Sequence, residues 1–501
     1  MKQAKCILER DYIIGETDPH LFGSFIEQIG RAVYTGIYEP GHSTADEQGF
    51  RTDVLELVRQ LKVPLIRYPG GNFISGYNWT DGIGPVTNRP KRLDLAWKSI
   101  ETNQIGIDEF ADWCQKAGTR VMAAVNLGTG TPAEAGNMVE YCNHPSGTTW
   151  SDLRRQNGHE QPHRIKVWCL GNEMDGPWQI GHLSAEDYGK KALEAAKIMR
   201  RIDPEIELVA CGSSYSEMPT FPEWDRIVLE YLYDQVEYLS LHQYYGYDDT
   251  DDTTDFLASF LDMEVFIQTI IATADYVKAK KRSKKKLHLS FDEWNVWAHR
   301  NETFSAWETA APRLEQLYNL QDALVLGGLI CTLLKHADRI KIACLAQLVN
   351  VIAPIYTKPF GPVIKQTIFY PFQQFSVYGR GEVLQPLMTC PSFSSLKYGE
   401  VPVLQSAAVL DKATNEIRIF ILNCDQPDDV EIMFDFRSFG PVTPLEHIVL
   451  NGPDLLAVNS FSEPEKVKPH HQPISGNGSN QLPVIAPKLS WNVLRFSIIK
   501  K

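Results

Sequence analysis

The sequence predicts an α/β protein, a (β/α)8 TIM barrel followed by a C-terminal antiparallel β-sandwich of jelly-roll type. Three observations carry this. Eight short apolar runs alternate with amphipathic helical patterns up to about residue 350. No Gly-rich phosphate turn follows an early strand, as a doubly wound open sheet would show; Pro69-Gly70-Gly71-Asn72 lacks the spacing. After about Tyr378 the helical patterns give way to alternating strands separated by turns.

The strand candidates are residues 21–29, 63–69, 120–127, 165–170, 207–212, 236–243, 287–293 and 342–349. Between them, "TDVLELVRQLK" follows the first strand and "GIDEFADWCQKAG" the second. "SAEDYGKKALEAAKIMRRIDP" follows the fourth, with Ser184 and Asp187 as capping residues and Pro204 as its stop. "TFPEWDRIVLEYLYDQ" follows the fifth, and long helical patterns over 253–280 and 313–336 follow the sixth and seventh. Further on, "VPVLQSAAVLDKATNEIRIFILNC" reads as two strands around a turn at 412–415. "DVEIMFDF", "LEHIVLNG" and "SWNVLRFSII" are further strands, and "SGNGSNQLP" is a loop. A strand-like stretch at 6–14 has no partner in the barrel and is expected to complete the sandwich. The expected division is a catalytic barrel over 18–378 and a sandwich over 379–501, completed by residues 1–17.

A chain of 501 residues exceeds one ordinary core, and 43 % hydrophobic residues suffice to fill two. A net charge of −13 disfavours nucleic acid and anionic membrane as partners. The N-terminus lacks the apolar core of a secretion signal, and the longest apolar run, 323–334, is too short to span a bilayer. The 9 cysteines are scattered in apolar runs without a C-x-x-C pair, which reads as reduced core residues in a cytoplasmic protein. The glycosylation-like tripeptides at Asn78 and Asn301 carry little without such a signal. "KAKKRSKKK" at 278–286 reads as a solvated helix end and loop. His470-His471 sits in a polar loop with no acidic partner nearby, so a flexible surface is expected there rather than a metal site.

In a barrel, chemistry sits at the C-terminal ends of the strands. Read in order, these ends supply Glu27, then Arg67 with Gly70-Gly71-Asn72, then Asn126, Asn172-Glu173, His242 with Tyr244, Glu293, and Gln347 with Asn350. Trp79, Trp97, Trp178 and Trp297 lie in the loops beyond. The fourth and seventh strands both lead to a glutamate, and these strands face one another across such a barrel. Paired carboxylates amid amides, tyrosine and tryptophan are what glycoside cleavage needs: one protonates the leaving oxygen, the other attacks the anomeric carbon or activates water. Asp292 alternates to the other side of its strand and is expected to be structural.

The segments "FGSFIEQIGRAVYTGIYEP", "IRYPGGNFISGYNW", "VWCLGNEMDGPWQIG", "LSLHQYYG", "SFDEWNVW" and "AQLVNVIAPI" occur in that order over 21–355. Together they resemble the α-L-arabinofuranosidases of glycoside hydrolase family 51. The resemblance implies a retaining, exo-acting, cofactor-free enzyme that releases terminal α-L-arabinofuranosyl residues from arabino-oligosaccharides, arabinan or arabinoxylan fragments. It implies Glu173 as acid/base and Glu293 as nucleophile. It implies Glu27, Asn72, Asn172, Tyr244 and Gln347 as ligands of the furanose ring, Arg67 and His242 as supports of the carboxylates, and Trp97 and Trp297 at the mouth. A cytoplasmic hexamer is implied as well. Tyr247 departs from the pattern, where a smaller polar residue is expected after "YYG", and this bears on loop shape and leaving-group preference.

Three rivals are weighed. An endo-acting xylanase or glucanase of the same barrel clan is disfavoured by Glu27 and Gln347 as furanose ligands and by the missing export signal. A catalytically inactive carbohydrate-binding protein would tolerate loss of either glutamate, and both are present. A nucleotide-dependent oxidoreductase lacks its phosphate loop.

Overall fold

The structure, a computed structural model, describes residues 1–247, 252–298, 306–474, 476 and 478–499. Eight parallel strands close into a barrel: β1 (Gly23–Phe25), β2 (Leu65–Tyr68), β3 (Arg120–Val125), β4 (Val167–Leu170), β5 (Glu207–Ala210), β6 (Tyr238–Tyr245), β7 (His288–Val296) and β8 (Ile340–Ala346). They neighbour one another in sequence order, and β8 pairs with β1 to complete the ring. All eight apolar runs are therefore strands. Most are shorter than their runs, because the flanking apolar residues cover the barrel ends. The exceptions are β6 and β7, which extend past the expected ends to Tyr245 and Val296.

The helices around the barrel are α1 (Thr52–Leu61), α2 (Ile107–Ala117), α3 (Pro132–Asn143), α4 (Thr149–Gln156), α5 (Ala185–Ile202), α6 (Glu223–Leu232), α7 (Thr253–Leu257), α8 (Phe260–Lys281), α9 (Leu320–Lys335) and α10 (Phe369–Tyr378). Ser184 caps α5 by accepting a hydrogen bond from the Asp187 amide. The long pattern at 253–280 is two helices, interrupted at Ala258-Ser259. The pattern at 313–336 becomes helical only at Leu320, where Asn319 forms the N-cap. The basic run ends α8 and pairs with acids: Lys280 with Glu230 at 2.5 Å, Lys281 with Asp234 at 3.4 Å and Lys286 with Asp338 at 3.5 Å.

Two further sheets stack beside the barrel. One has seven strands, including Leu404–Asp411, Glu416–Asn423, Ser490–Ile498 and Val442–Leu450; the other has four. N-terminal strands join both: Lys2–Ile7 lies in the four-stranded sheet, and Ile13–Glu16 edges the seven-stranded one. Lys2–Ile7 runs parallel to Val430–Asp435, which corrects the expectation of a wholly antiparallel sandwich. A strand arriving from the far end of the chain is not bound by a hairpin turn and can take either direction. Another strand, Gln481–Ala486, begins within the stretch read as a loop, of which Ser475 and Asn477 lie outside the described residues. His470-His471 is a short strand beside Val442–Leu450, with His471 Nδ1 3.4 Å from Glu446, so it does have an acidic neighbour.

Helix α9 explains the longest apolar run. It is buried along Leu320–Leu334 between the barrel and the seven-stranded sheet. Gly327 faces the Trp491 ring and Gly328 faces Leu422, so a side chain at either position would collide with the sheet. No helix among the described residues is long and apolar enough to cross a membrane. All nine cysteines are free thiols, and all but Cys390 are buried.

Candidate active site

At the C-terminal end of the barrel lies a cavity of about 740 Å³. Glu27, Asn72, Trp97, Glu173, Tyr244, Glu293, Trp297 and Gln347 all line it. The chain reaches each position by an abrupt turn. Gly171 (φ 93°) and Glu173 (φ 43°) both take left-handed backbone where β4 ends, which turns the Glu173 side chain back over the barrel. After β2, Gly70 and Gly71 press against Glu27; a Cβ on Gly71 would lie 2.2 Å from Glu27 Oε2. That turn is thus a close approach of backbone to carboxylate, which only glycine permits.

Glu293 does not end its strand, since β7 continues to Val296. Ser240 pairs with Ser290 and His242 with Glu293, so β7 carries one extra residue against β6. The same shift recurs against β8, between Phe291 and Trp294. The bulge corrects the reading of Asp292: strict alternation fails there, and Asp292 and Glu293 both turn toward the barrel axis. Asp292 contacts Arg67 Nε at 3.4 Å and His242 Nε2 at 3.3 Å. It lies behind the cavity wall and braces the two cations.

A continuous polar network results. Arg67 donates through Nη1 to Glu293 Oε1 (2.5 Å) and through Nη2 to Asn172 Oδ1 (2.6 Å). Tyr244 donates to Glu293 Oε2 at 3.0 Å. His242 Nδ1 lies 3.0 Å from Glu173 Oε1, and Trp178 Nε1 donates to Glu173 Oε2 at 2.7 Å. An oxygen of Glu173, an oxygen of Glu293 and a ring nitrogen of His242 all lie within 4.8 Å of one another. Glu27 Oε1 accepts from the Phe73 amide and from Trp97 Nε1, both at 2.8 Å, and its own amide donates to Gln347 Oε1 at 3.0 Å. Arg67, His242 and Asn172 do not line the cavity. Asn172 is 1 % exposed, held between Arg67 and Asn72 Oδ1.

Burial shapes the charges. It lowers the His242 imidazolium by itself, but Glu293, with Asp292 and Glu173, outweighs it and lifts the group to about 10. Burial pushes Glu27 up to about 8, helped by the negative charge of Glu293. Burial also raises Glu293 above the usual carboxylate range, against the pull of His242 and Arg67. Near neutral pH the site therefore combines a fixed cation pair with a carboxyl group, Glu27, that largely keeps its proton.

The other sequence candidates fall outside. Asn126 closes its own loop through Tyr77 O and Thr129, and Asn350 is buried against Arg31 O and Thr357. Trp79 packs on Tyr141 and Trp150 in the core. Tyr247 does not line the main cavity; it packs at a tilt on Phe256 and accepts a hydrogen bond from the Asn319 side chain at 3.0 Å. Asn301 lies outside the described residues. Trp178, one of the loop tryptophans, does line the cavity, and so do Ser214, Tyr215 and Glu217, which the strand-end reading does not include. The position of these three in "GSSYSE", just past β5, is the signal that could have found them. A second cluster with metal-ligating atoms, Asp108, His159 and His163, lies apart from this cavity; Asp108 there already bonds His163 Nε2 at 2.7 Å and Tyr141 OH at 2.6 Å.

A closed barrel with two glutamates meeting beneath a tyrosine- and tryptophan-lined cavity defines a glycoside hydrolase. Residues 57–259 match the model for the alpha-L-arabinofuranosidase 1 domain, and residues 292–490 match that for the alpha-L-arabinofuranosidase C-terminal domain. The chain is 56 % identical to an intracellular exo-α-(1→5)-L-arabinofuranosidase of Halalkalibacterium halodurans over 98 % of both chains. It is 53 % identical to the Bacillus subtilis intracellular exo-α-(1→5)-L-arabinofuranosidase 1 over 99 % of both. A solved family 51 α-L-arabinofuranosidase of Bifidobacterium longum superposes with a TM-score of 0.95 at 42 % identity, covering 99 % of this chain and 100 % of that one. The chain belongs to the α-L-arabinofuranosidases of glycoside hydrolase family 51.

Proposed function

We propose that the protein is a retaining, exo-acting α-L-arabinofuranosidase that removes terminal arabinofuranosyl residues from arabino-oligosaccharides, with α-(1→5)-linked chains as the preferred class. The approach of the two carboxylates carries the mechanism. An oxygen of each glutamate lies within 4.8 Å of one of the other, closer than the roughly 6.5–9.5 Å that separates an inverting pair, which favours double displacement. Glu293 is the nucleophile: Arg67 and Tyr244 hold its two oxygens, and Arg67 and His242 keep positive charge beside it. Glu173 is the acid/base. It protonates the leaving oxygen, then takes a proton from the water that resolves the glycosyl-enzyme. Trp178 and His242 fix its two oxygens for both steps.

Glu27, with its proton largely retained, can donate to a ring hydroxyl, and Asn72, Gln347 and Tyr244 border the same space. Asn172 acts on the ring through Arg67 and Asn72. Trp97 steadies Glu27 and, with Trp297, walls the mouth. The names of the relatives support the α-(1→5) preference and a cytoplasmic location. The catalytic unit is taken as 18–378 and the accessory sandwich as 379–501 with 1–17; the hexamer follows from family resemblance and is tested by light scattering. Aryl glycosides differing only in the sugar test the activity. Aryl α-L-arabinofuranoside should be cleaved far faster than aryl β-D-xylopyranoside or β-D-glucopyranoside, and a preference for internal bonds of xylan would overturn the reading.

A further inference from the structure

A second cavity of about 220 Å³ adjoins the first, and Glu217, Gln243 and Tyr244 border both. Its outer wall comes from the other domain. The hairpin Ser392–Ser395 and Gly399–Pro402 projects from the sandwich side and brings Lys397 and Tyr398 to this cavity. Opposite them stands Asp262 of α8, which accepts a hydrogen bond from Tyr245 OH at 3.2 Å.

The hairpin is fixed to the barrel. Asp255 Oδ1 in α7 accepts from Ser395 Oγ at 2.6 Å and from the Leu396 amide at 3.0 Å, and Ser395 Oγ accepts from the Tyr398 amide at 2.9 Å. The Lys397 ammonium sits 5.3 Å from the Tyr398 ring centre. Tyrosines, carboxylates and an ammonium thus border the cavity, a chemistry that suits a neutral polyhydroxylated chain. Its direction matters as well. An acid must touch the glycosidic oxygen, so the leaving group departs on the side of Glu173. The wall on that side continues through Trp178, which stacks on Tyr215 with centroids 6.0 Å apart, to Glu217, the residue shared with the second cavity.

Resting on the activity proposed above, we infer that this second cavity is a distal subsite for the reducing-side sugars of an arabino-oligosaccharide, with Tyr398 as the stacking platform and Lys397 and Asp262 as hydroxyl ligands. The sandwich thereby takes part in selecting substrate length. The test compares wild type, Tyr398→Ala and Lys397→Met on an aryl α-L-arabinofuranoside and on α-(1→5)-arabinobiose, -triose and -tetraose. Lys397 is exposed, so its variant guards against a Tyr398 variant that fails to fold. The loss of kcat/KM should grow with chain length, from under about twofold on the aryl substrate to about tenfold on tetraose, expressed mainly in KM. Unchanged tetraose kinetics in both variants, or equal losses on all four substrates, would overturn the subsite while leaving the activity standing. A wild type inert on all four would overturn the activity and the subsite together.

Discussion

Arg67, His242, Asp292 and Glu293 are packed together inside the barrel, each 5 % exposed or less. The sandwich interior is instead built from side chains such as Ile419, Ile432, Phe434, Phe436 and Phe496. Burying charge costs several kcal/mol per ion unless partners compensate, and apolar residues of similar volume are often equally stable. The barrel thus accepts a dense cluster of buried charge where the chemistry is. The sandwich, with α9 against it, supplies apolar burial free of that constraint. Substitutions should separate the two: the barrel network should govern rate, and the sandwich core should govern stability.

The sharpest test is Glu293→Gln, which keeps the shape and removes the charge. Activity should fall roughly 10⁴-fold or more on every substrate, whatever the leaving group. The protein should stay folded, since Asp292 still pairs with Arg67 and His242, with a loss of unfolding free energy below about 3 kcal/mol. A variant that loses its fold along with its activity would show the network to be structural and erase the contrast.

Glu173→Ala should be graded rather than uniform. Arabino-oligosaccharides, with poor leaving groups, should slow by about 10²–10⁴-fold, whereas aryl substrates with acidic leaving groups should keep their first step and accumulate the covalent intermediate. Azide should restore turnover on the activated substrate and yield a glycosyl azide of retained configuration. Equal losses on good and poor leaving groups, without rescue, would remove Glu173 from the acid/base role.

Phe436→Ala probes the other region. Its ring lies 4.9 Å from Phe496 and 5.8 Å from Phe434, so truncation should cost about 3–5 kcal/mol of unfolding free energy. The protein that remains folded should keep its kcat/KM within about twofold. A large loss of rate with little loss of stability would contradict the division.

The smallest effect is on pH dependence. His242 is lifted from 6.5 to about 10, so the folded chain holds a proton that the unfolded chain releases above pH 6.5. Its contribution is complete below pH 6.5 and is lost as pH rises through about 10. Glu27, lifted to about 8, acts in the same direction over a lower window, from about 4.5 to 8. Between pH 8 and 10 the slope of stability should therefore be shallower in His242→Asn, by up to about 1.4 kcal/mol per pH unit. Parallel slopes in urea titrations of the two proteins would place the His242 proton elsewhere.

Much of this was legible beforehand. The eight apolar runs announced eight strands, because buried parallel strands need apolar side chains on both faces. Glu173 and Glu293 were visible as acids placed where such runs otherwise stay apolar. Asp292 is structural as expected, but it faces the other side of β7 than alternation predicts, because a bulge imposed by pairing with β6 and β8 breaks that local rule. Tyr215 and Glu217 escape the sequence because loop residues carry no periodic signal.

The sequence by itself determined the order of strands and helices, the change of texture near residue 378 and the two glutamates, since each is written in nearest-neighbour spacing. Tertiary structure alone decided three other matters. It turned Asp292 and Glu293 to the same side of β7. It placed the apolar α9 between two domains. It brought Lys397 and Tyr398 beside Glu217, although the stretches lie far apart in the chain. Such contacts arise from strand register and domain packing, which depend on where distant segments meet, and no local pattern of residues encodes that distance.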